Sequence, residues 1–180
     1  MSPRILVAGV GNIFCGDDGF GSTVAQRLAT ESLPPGVELR DYGIRGVHLA
    51  YQLLDGYDVL VLIDAVERGG PPGTVYVVEP ELEAAPRPGE PGHAPELMVD
   101  AHDMAPDAVL AMVPILGGTL GNVLLVGCEP EQLAPGMGLS PAVERAVEEA
   151  AWLVMEIVRT AATTAPAGQP EVVATETGGT

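Results

Sequence analysis

The sequence predicts an α/β fold in three layers, with a mostly parallel, twisted sheet between helices on both faces. Strand-like apolar runs alternate with helical patterns along the chain. The run Val59–Ala65 is apolar almost throughout, as expected of a parallel strand that is buried on both faces. A glycine-rich turn also joins the first strand to the helix that follows it, as in nucleotide-binding folds.

Five segments have the pattern of strands. The first, third and fifth are nearly continuous apolar runs, whereas the second and fourth alternate less cleanly. In chain order we predict strands over Ile5–Val10, Val37–Asp41, Val59–Ala65, Thr74–Glu79 and Asn122–Cys128.

Four segments have apolar residues at helical spacing. The last is the clearest, because Ser140–Pro141 supplies a cap and a first residue, and a stripe from Val143 to Ile157 follows. Pro106 suits an early helical position, where its missing N–H is harmless. In chain order we predict helices over Gly21–Thr30, Gly46–Leu54, Pro106–Val113 and from Ser140 onward.

The length of 180 residues and a hydrophobic content of 47% fit one domain, which we place at residues 1–160. A proline-rich acidic loop is predicted at about residues 80–101, because residues 79–103 contain seven acids and one arginine. The composition of residues 161–180 is dominated by Thr, Ala, Gly and Pro, which predicts a disordered tail.

The net charge of −17 and the complete lack of lysine exclude several functions. There is no lysine for a Schiff base or a P-loop, and nucleic acid or an anionic membrane would be repelled. No basic leader and no apolar run of the ~18 residues that a membrane span needs are visible, so we expect a cytoplasmic protein. The two cysteines predict no disulfide framework.

Two adjacent acids, Asp17 and Asp18, stand where a nucleotide-binding fold would hold a phosphate. Carboxylates at this position repel a pyrophosphate and favour a cation, so the turn predicts metal recognition. One of the two could instead cap the following helix. A dinucleotide site is the competing interpretation, with Asp41 as its ribose-binding acid, but Phe14 occupies the third glycine position of its fingerprint.

Asp64 ends the third strand, and the carboxyl ends of parallel strands are where ligands bind in open sheets. Its partner could be a backbone N–H, Arg45, or a metal shared with Asp18. Of the three histidines, we interpret His48 as a surface or packing residue and His93 as a solvated loop residue. His102, where the acidic loop returns to the fold, is the candidate metal ligand. A Cys15–His102 nucleophilic pair is a weaker alternative, because flanking acids raise a thiol pKa.

The glycine–asparagine block with its acid pair (residues 9–21) resembles the signature of the hydrogenase maturation endopeptidases. The resemblance continues through residues 41–46, 61–65, 101–103, 124–127 and 138–141, and so covers roughly residues 4–159. It implies an enzyme that cleaves a C-terminal extension from the [NiFe] hydrogenase large-subunit precursor after nickel insertion. It also implies nickel ligands at Asp18, Asp64 and His102, with no permanently bound metal.

We therefore predict a nickel-reading endopeptidase whose nickel is supplied by the substrate. Asp18, Asp64 and Asp17 are the predicted catalytic residues, with Asp17 or Asp18 as a possible general base. The alternative is a non-catalytic nickel-delivery or metal-sensing domain with the same ligands. The residues predicted to contact the substrate are Gly9, Gly11, Asn12, Gly43 and Gly46.

Overall fold

Strands and helices alternate in the computed structural model, which describes residues 2–80 and 106–163 of the chain. The strands are β1 (Ile5–Val10), β2 (Val37–Gly43), β3 (Val59–Ala65), β4 (Val75–Val78) and β5 (Asn122–Cys128). The helices in these ranges are α1 (Phe20–Leu28), α2 (Gly46–Leu53), α3 (Pro106–Ile115) and α4 (Pro141–Thr163), and a 3-10 turn, Gly16–Gly19, precedes α1.

The strands form one sheet in the order β2-β1-β3-β5-β4. β1, β2, β3 and β5 are parallel, and β4 runs antiparallel along β5 at one edge. The connection from β1 leads to β2 on one side, whereas the connection from β3 leads to the strands on the other side. The point where strand order reverses therefore lies between the carboxyl ends of β1 and β3, which is where such sheets bind ligands.

Each face of the sheet has its own core, which gives the predicted three layers. One core contains α1 and α4 and the other contains α2 and α3. Alternate residues of the central strands enter opposite cores, which is why these strands are apolar at nearly every position. Ile5, Val7, Val61 and Ile63 belong to the first core, and Leu6, Ala8, Leu60 and Leu62 belong to the second.

Several predicted boundaries differ from the observed ones. The predicted bounds of β1, β3 and β5 are confirmed, whereas β2 runs on to Gly43 and β4 covers only Val75–Val78. α3 extends to Ile115 and includes Pro114, which has no N–H to donate to the preceding turn and lies one residue before the helix end. The 3-10 turn leads directly into α1, which begins at Phe20. α1 ends at Leu28 rather than at the predicted Thr30.

The first three residues of the predicted tail, residues 161–163, are helical. α4 continues to Thr163, because Ala161 and Ala162 still pack against the core that contains α1. The predicted acidic loop, apart from residue 80, and the rest of the predicted tail lie outside the described residues. In residues 2–80 and 106–163, no helix has the length and apolarity needed to cross a bilayer.

Candidate active site

Gly11 brings the three segments of the site together. Its φ of 128° belongs to the region that favours glycine, and its N–H donates to the Gly43 carbonyl at 3.0 Å. A Cβ at this position would collide with the carbonyl oxygen of Asp18 and would lie 3.8 Å from Oδ1 of Asp64. The turn after β1 therefore lies against both the acid pair and the end of β3.

Gly9 and Gly21 allow α1 to approach the sheet closely. A Cβ on Gly9 would collide with the carbonyl oxygen of Gly21, and a Cβ on Gly21 would collide with the carbonyl oxygens of Val10 and Ile63. Gly9 is buried under α1. This position gives Gly9 a packing role, and its predicted contact with the substrate stays a prediction.

Asp18 is partly buried, and its Oδ2 accepts a hydrogen bond from the backbone N–H of Asn12 at 2.7 Å. An N–H of this turn that a phosphate would need is thus already occupied by a carboxylate of the protein. Neither acid caps α1 through its side chain, since the residue before that helix is Gly19. The capping alternative for the pair was therefore wrong.

Asp17 is fully buried and points to a different part of the fold. Its Oδ2 accepts hydrogen bonds from the N–H groups of Glu131 and Gln132 at 2.8 and 3.0 Å, and its Oδ1 accepts one from Ser140 at 2.6 Å. Burial alone would raise the pKa of Asp17, but these backbone N–H groups favour the ionised form more strongly and hold the pKa below its usual value. This arrangement gives Asp17 a structural role, in which it ties the acid turn to the loop before α4.

Asp64 is the buried acid of the site, with 7% of its surface exposed. Its Oδ1 accepts a hydrogen bond from the N–H of Ala65 at 2.9 Å. The pKa of Asp64 is raised to about 8, mainly by burial and also by the negative charges of Asp18 and Asp107, while the Ala65 hydrogen bond lowers it. Arg45, considered as a partner for Asp64, instead donates from Nε to the Tyr42 carbonyl at 3.3 Å.

Two further acids, which were not predicted from the sequence, lie near this edge of the sheet. Asp107, in the first turn of α3, is exposed and close enough to affect the pKa of Asp64. Glu129, directly after β5, is 95% buried and accepts hydrogen bonds from the N–H groups of Arg68 and Gly69 and from the Tyr76 hydroxyl. The position of Glu129 at a strand end was the available signal.

The remaining predicted substrate contacts lie around the same turn. The Asn12 side chain is engaged locally, because its Oδ1 accepts a hydrogen bond from the Phe14 N–H at 3.0 Å. Gly43 ends β2 beside Gly11, and Gly46 is the buried first residue of α2. Of these, Gly43 and the backbone of Asn12 lie at the site, and Gly46 belongs to the packing of α2.

The histidine predicted as third metal ligand, His102, lies outside the described residues, as does His93. His48 is exposed on α2, as the sequence predicted. Within residues 2–80 and 106–163, no group of three or more His, Cys, Asp or Glu side chains is arranged to hold a metal ion. The Asp18–Asp64 pair is therefore at most part of a metal site.

The fold and the acid pair define the molecule as an open α/β protein with its site at the reversal of strand order. A family model described as hydrogenase maturation protease matches residues 22–157. The chain belongs to the hydrogenase maturation protease family and is a hydrogenase-processing endopeptidase.

Individual relatives agree with this assignment over most of the chain. The hydrogenase 2 maturation protease of Escherichia coli K12 is 32% identical over 161 residues, which is 87% of this chain and 91% of that protein. The hydrogenase expression/formation protein HupD of Rhodobacter capsulatus is 31% identical over 87% of this chain and 70% of its own length. The solved structure of the E. coli hydrogenase maturating endopeptidase HybD is 30% identical, with a TM-score of 0.69 over 87% of this chain and 93% of that one.

Proposed function

We propose that the chain removes the C-terminal extension of a [NiFe] hydrogenase large-subunit precursor once nickel has been inserted, and that it recognises the nickel in that substrate. Asp18, Asp64 and His102 are the proposed nickel-contacting residues. The observation that supports this proposal best is the pairing of a partly buried acid with a buried one at the ligand-binding edge of the sheet, without a basic partner among the residues described.

Two neighbouring carboxylates without a counter-ion form an unfavourable arrangement. Burial raises the pKa of Asp64 most, and the negative charges of Asp18 and Asp107 raise it further. A divalent cation between the carboxylates would remove their repulsion and compensate the burial of Asp64. Nickel carried by the substrate would supply that charge only while the substrate is bound.

The three proposed ligands form an incomplete set for a nickel ion. Two carboxylate oxygens and one imidazole bind a free divalent ion only modestly, and they include no thiolate. A nickel ion held on cysteine sulfurs of the precursor would bring the soft ligands that this chain lacks. The enzyme would then contact the nickel-bearing precursor better than the nickel-free one.

Amide hydrolysis at this site needs a group that takes a proton from the attacking water. We assign this role to Asp18, because Asp17 has both oxygens occupied by buried backbone N–H groups. Asp18 is partly exposed, and among the residues described its carboxylate accepts a hydrogen bond from the Asn12 N–H. The water adds to the scissile carbonyl, and the released amine takes up the proton.

Nickel dependence is tested by giving metal-free enzyme two forms of the same purified precursor. We expect cleavage of the nickel-loaded precursor and none of the nickel-free precursor, even in excess. Efficient cleavage of nickel-free precursor, or activity that follows the metal content of the isolated enzyme, would contradict substrate-borne recognition. Metal retention through chelation and desalting without any cleavage would favour the nickel-delivery alternative.

Substitutions at the acid pair test the residue assignment. Asp18→Asn and Asp64→Asn should each reduce kcat/KM by about 100-fold or more while the protein stays folded, because each removes a charge that meets the nickel or the water. His102→Ala should do the same, and His93→Ala should not. Asp55→Asn is the matched control, since Asp55 is exposed after α2 and bonds to Gln52. Wild-type turnover by a site variant would remove that residue from the site.

A further inference from the structure

Four large apolar side chains are exposed on two loops beside the acid turn. Ile13 and Phe14 follow β1, with 41% and 62% of their surfaces exposed, and Leu133 and Met137 precede α4, with 41% and 79% exposed. We call these four residues the apolar rim. Large apolar side chains that are grouped and exposed mark a surface that another molecule covers.

The two loops form one unit through their backbones. The N–H of Gly136 donates to the Phe14 carbonyl at 2.8 Å, and the N–H of Gly16 donates back to the Gly136 carbonyl at 2.8 Å. The N–H of Asp17 donates to the Gln132 carbonyl at 3.0 Å, and the Asp17 carboxylate binds the same loop. The rim residues are therefore presented from a backbone that is already fixed.

The rim is continuous with the active site. Asn12, directly before Ile13, donates its backbone N–H to the Asp18 carboxylate. Ile13 also lies against Gly19, because a Cβ added to Gly19 would be 3.0 Å from the Cα of Ile13. A polypeptide whose scissile bond reaches Asp18 can therefore contact the rim through its neighbouring side chains.

The two loops are also neutral in a strongly acidic chain. Residues 11–16 and 132–140 contain no Asp, Glu, Arg, Lys or His, although the whole chain has a net charge of −17. A cationic partner would gain nothing from these loops in particular. The two loops are suited instead to contact apolar side chains of a partner.

We propose that the apolar rim binds apolar side chains of the precursor next to the bond that is cleaved, and so contributes to substrate affinity independently of nickel. This inference rests on the proposed function. It adds a second recognition element, which reads the polypeptide, to the acids that read the metal.

The test compares steady-state processing of the nickel-loaded precursor by the wild type and by the double variant Phe14→Ser/Met137→Ser. We expect KM to rise about tenfold or more and kcat to stay within about twofold, because the rim contacts side chains of the precursor rather than the reacting atoms and so acts on binding. Met137→Ser alone, at the most exposed rim position, should raise KM about threefold and keeps the test valid if the double variant does not fold. Trp152→Ser is the matched control, because Trp152 is 60% exposed on α4, beside Arg27 and Leu28 at the far end of α1.

The outcomes separate this inference from the proposed function. If the wild type does not cleave the precursor, both are overturned. If the wild type cleaves it and the folded rim variants have unchanged KM, the rim proposal alone is overturned. It is also overturned if the rim substitutions abolish a concentration-dependent dimer and leave KM unchanged, since the rim would then contact a second copy of the chain.

Discussion

At the scale of single residues, two adjacent aspartates with the same side chain have opposite surroundings. Asp17 is buried with three backbone N–H donors, whereas Asp18 is partly exposed with one. The Asp17 donors come from residues 114 to 123 positions further along the chain. A pattern of neighbouring acids cannot contain that information, so the sequence alone could not separate an anchor from a reactive group.

Asp17→Ala should lower the free energy of unfolding by about 3 kcal/mol, because three buried N–H groups lose a charged acceptor. Asp17→Asn should cost less, since it keeps one carbonyl oxygen for Ser140. Urea denaturation of both variants measures the difference, with Asp55→Ala as an exposed control that should stay within about 0.5 kcal/mol of the wild type. Unchanged stability together with lost activity would return Asp17 to the catalytic group.

Among the other residues of the site, the position in the sequence was enough to predict some features, whereas others depend on tertiary packing. The position of Asp64 at the end of an apolar strand was enough to predict a buried carboxylate at the binding edge. The contribution of Asp107 was not predictable, because its distance from Asp64 depends on how α3 packs. His102 as a metal ligand and Asp18 as the base stay predictions that the described residues alone do not test.

At the scale of elements, the predicted bounds hold where burial on both faces dictates the residue type. β1, β3 and β5 begin and end where their apolar runs do. β2 and β4 lie at the edges of the sheet, where residues 2–80 and 106–163 supply no strand neighbour on one side and the apolar pattern is weaker, and there the predicted ends shift. The start of α1 was not predicted because a 3-10 turn precedes the helix. The end of α4 was not predicted because it depends on the packing of two alanines.

Glu129 holds β4 and the turn before it against β5, which gives this edge a dependence on pH. Burial alone would raise the pKa of Glu129, but hydrogen bonds, led by that from the Arg68 N–H, hold the pKa below its usual 4.5. A lowered folded-state pKa gives stability that is present above the unfolded-state pKa and is lost as the pH falls through the folded-state pKa.

Glu129→Gln should therefore lower the Tm clearly at about pH 7, and the difference from the wild type should shrink below about pH 4.5 as the wild-type carboxylate becomes protonated. Thermal melts across this range measure the effect. Glu156→Gln on α4 is the control, since its carboxylate makes an exposed ion pair with Arg159. A difference that is independent of pH would show that the ionised form of Glu129 contributes nothing.

At the scale of the whole molecule, a domain limit is set by the last residues that pack. Ala161 and Ala162 contact the core, so the domain extends past residue 160. The residues that follow offer few apolar side chains at a regular spacing.

A chain that ends at Thr163 should unfold within about 0.5 kcal/mol of the full-length protein and should process precursor at the same rate. A chain that ends at Thr160 should lose about 1 kcal/mol, because the last alanine contacts and helical hydrogen bonds are removed. Chemical denaturation of the three lengths checks both values. A large loss at Thr163 would place part of residues 164–180 on the domain.

The three hydrogen bonds of Asp17 also determine when the enzyme can become active. They join the acid turn, near the start of the chain, to Glu131, Gln132 and Ser140. Closing so long a loop is slow compared with local folding, and these donors do not exist until Ser140 has been synthesised. A nascent chain that has not reached Ser140 therefore lacks the anchored turn, and the peptidase site is assembled only after that residue has left the ribosome.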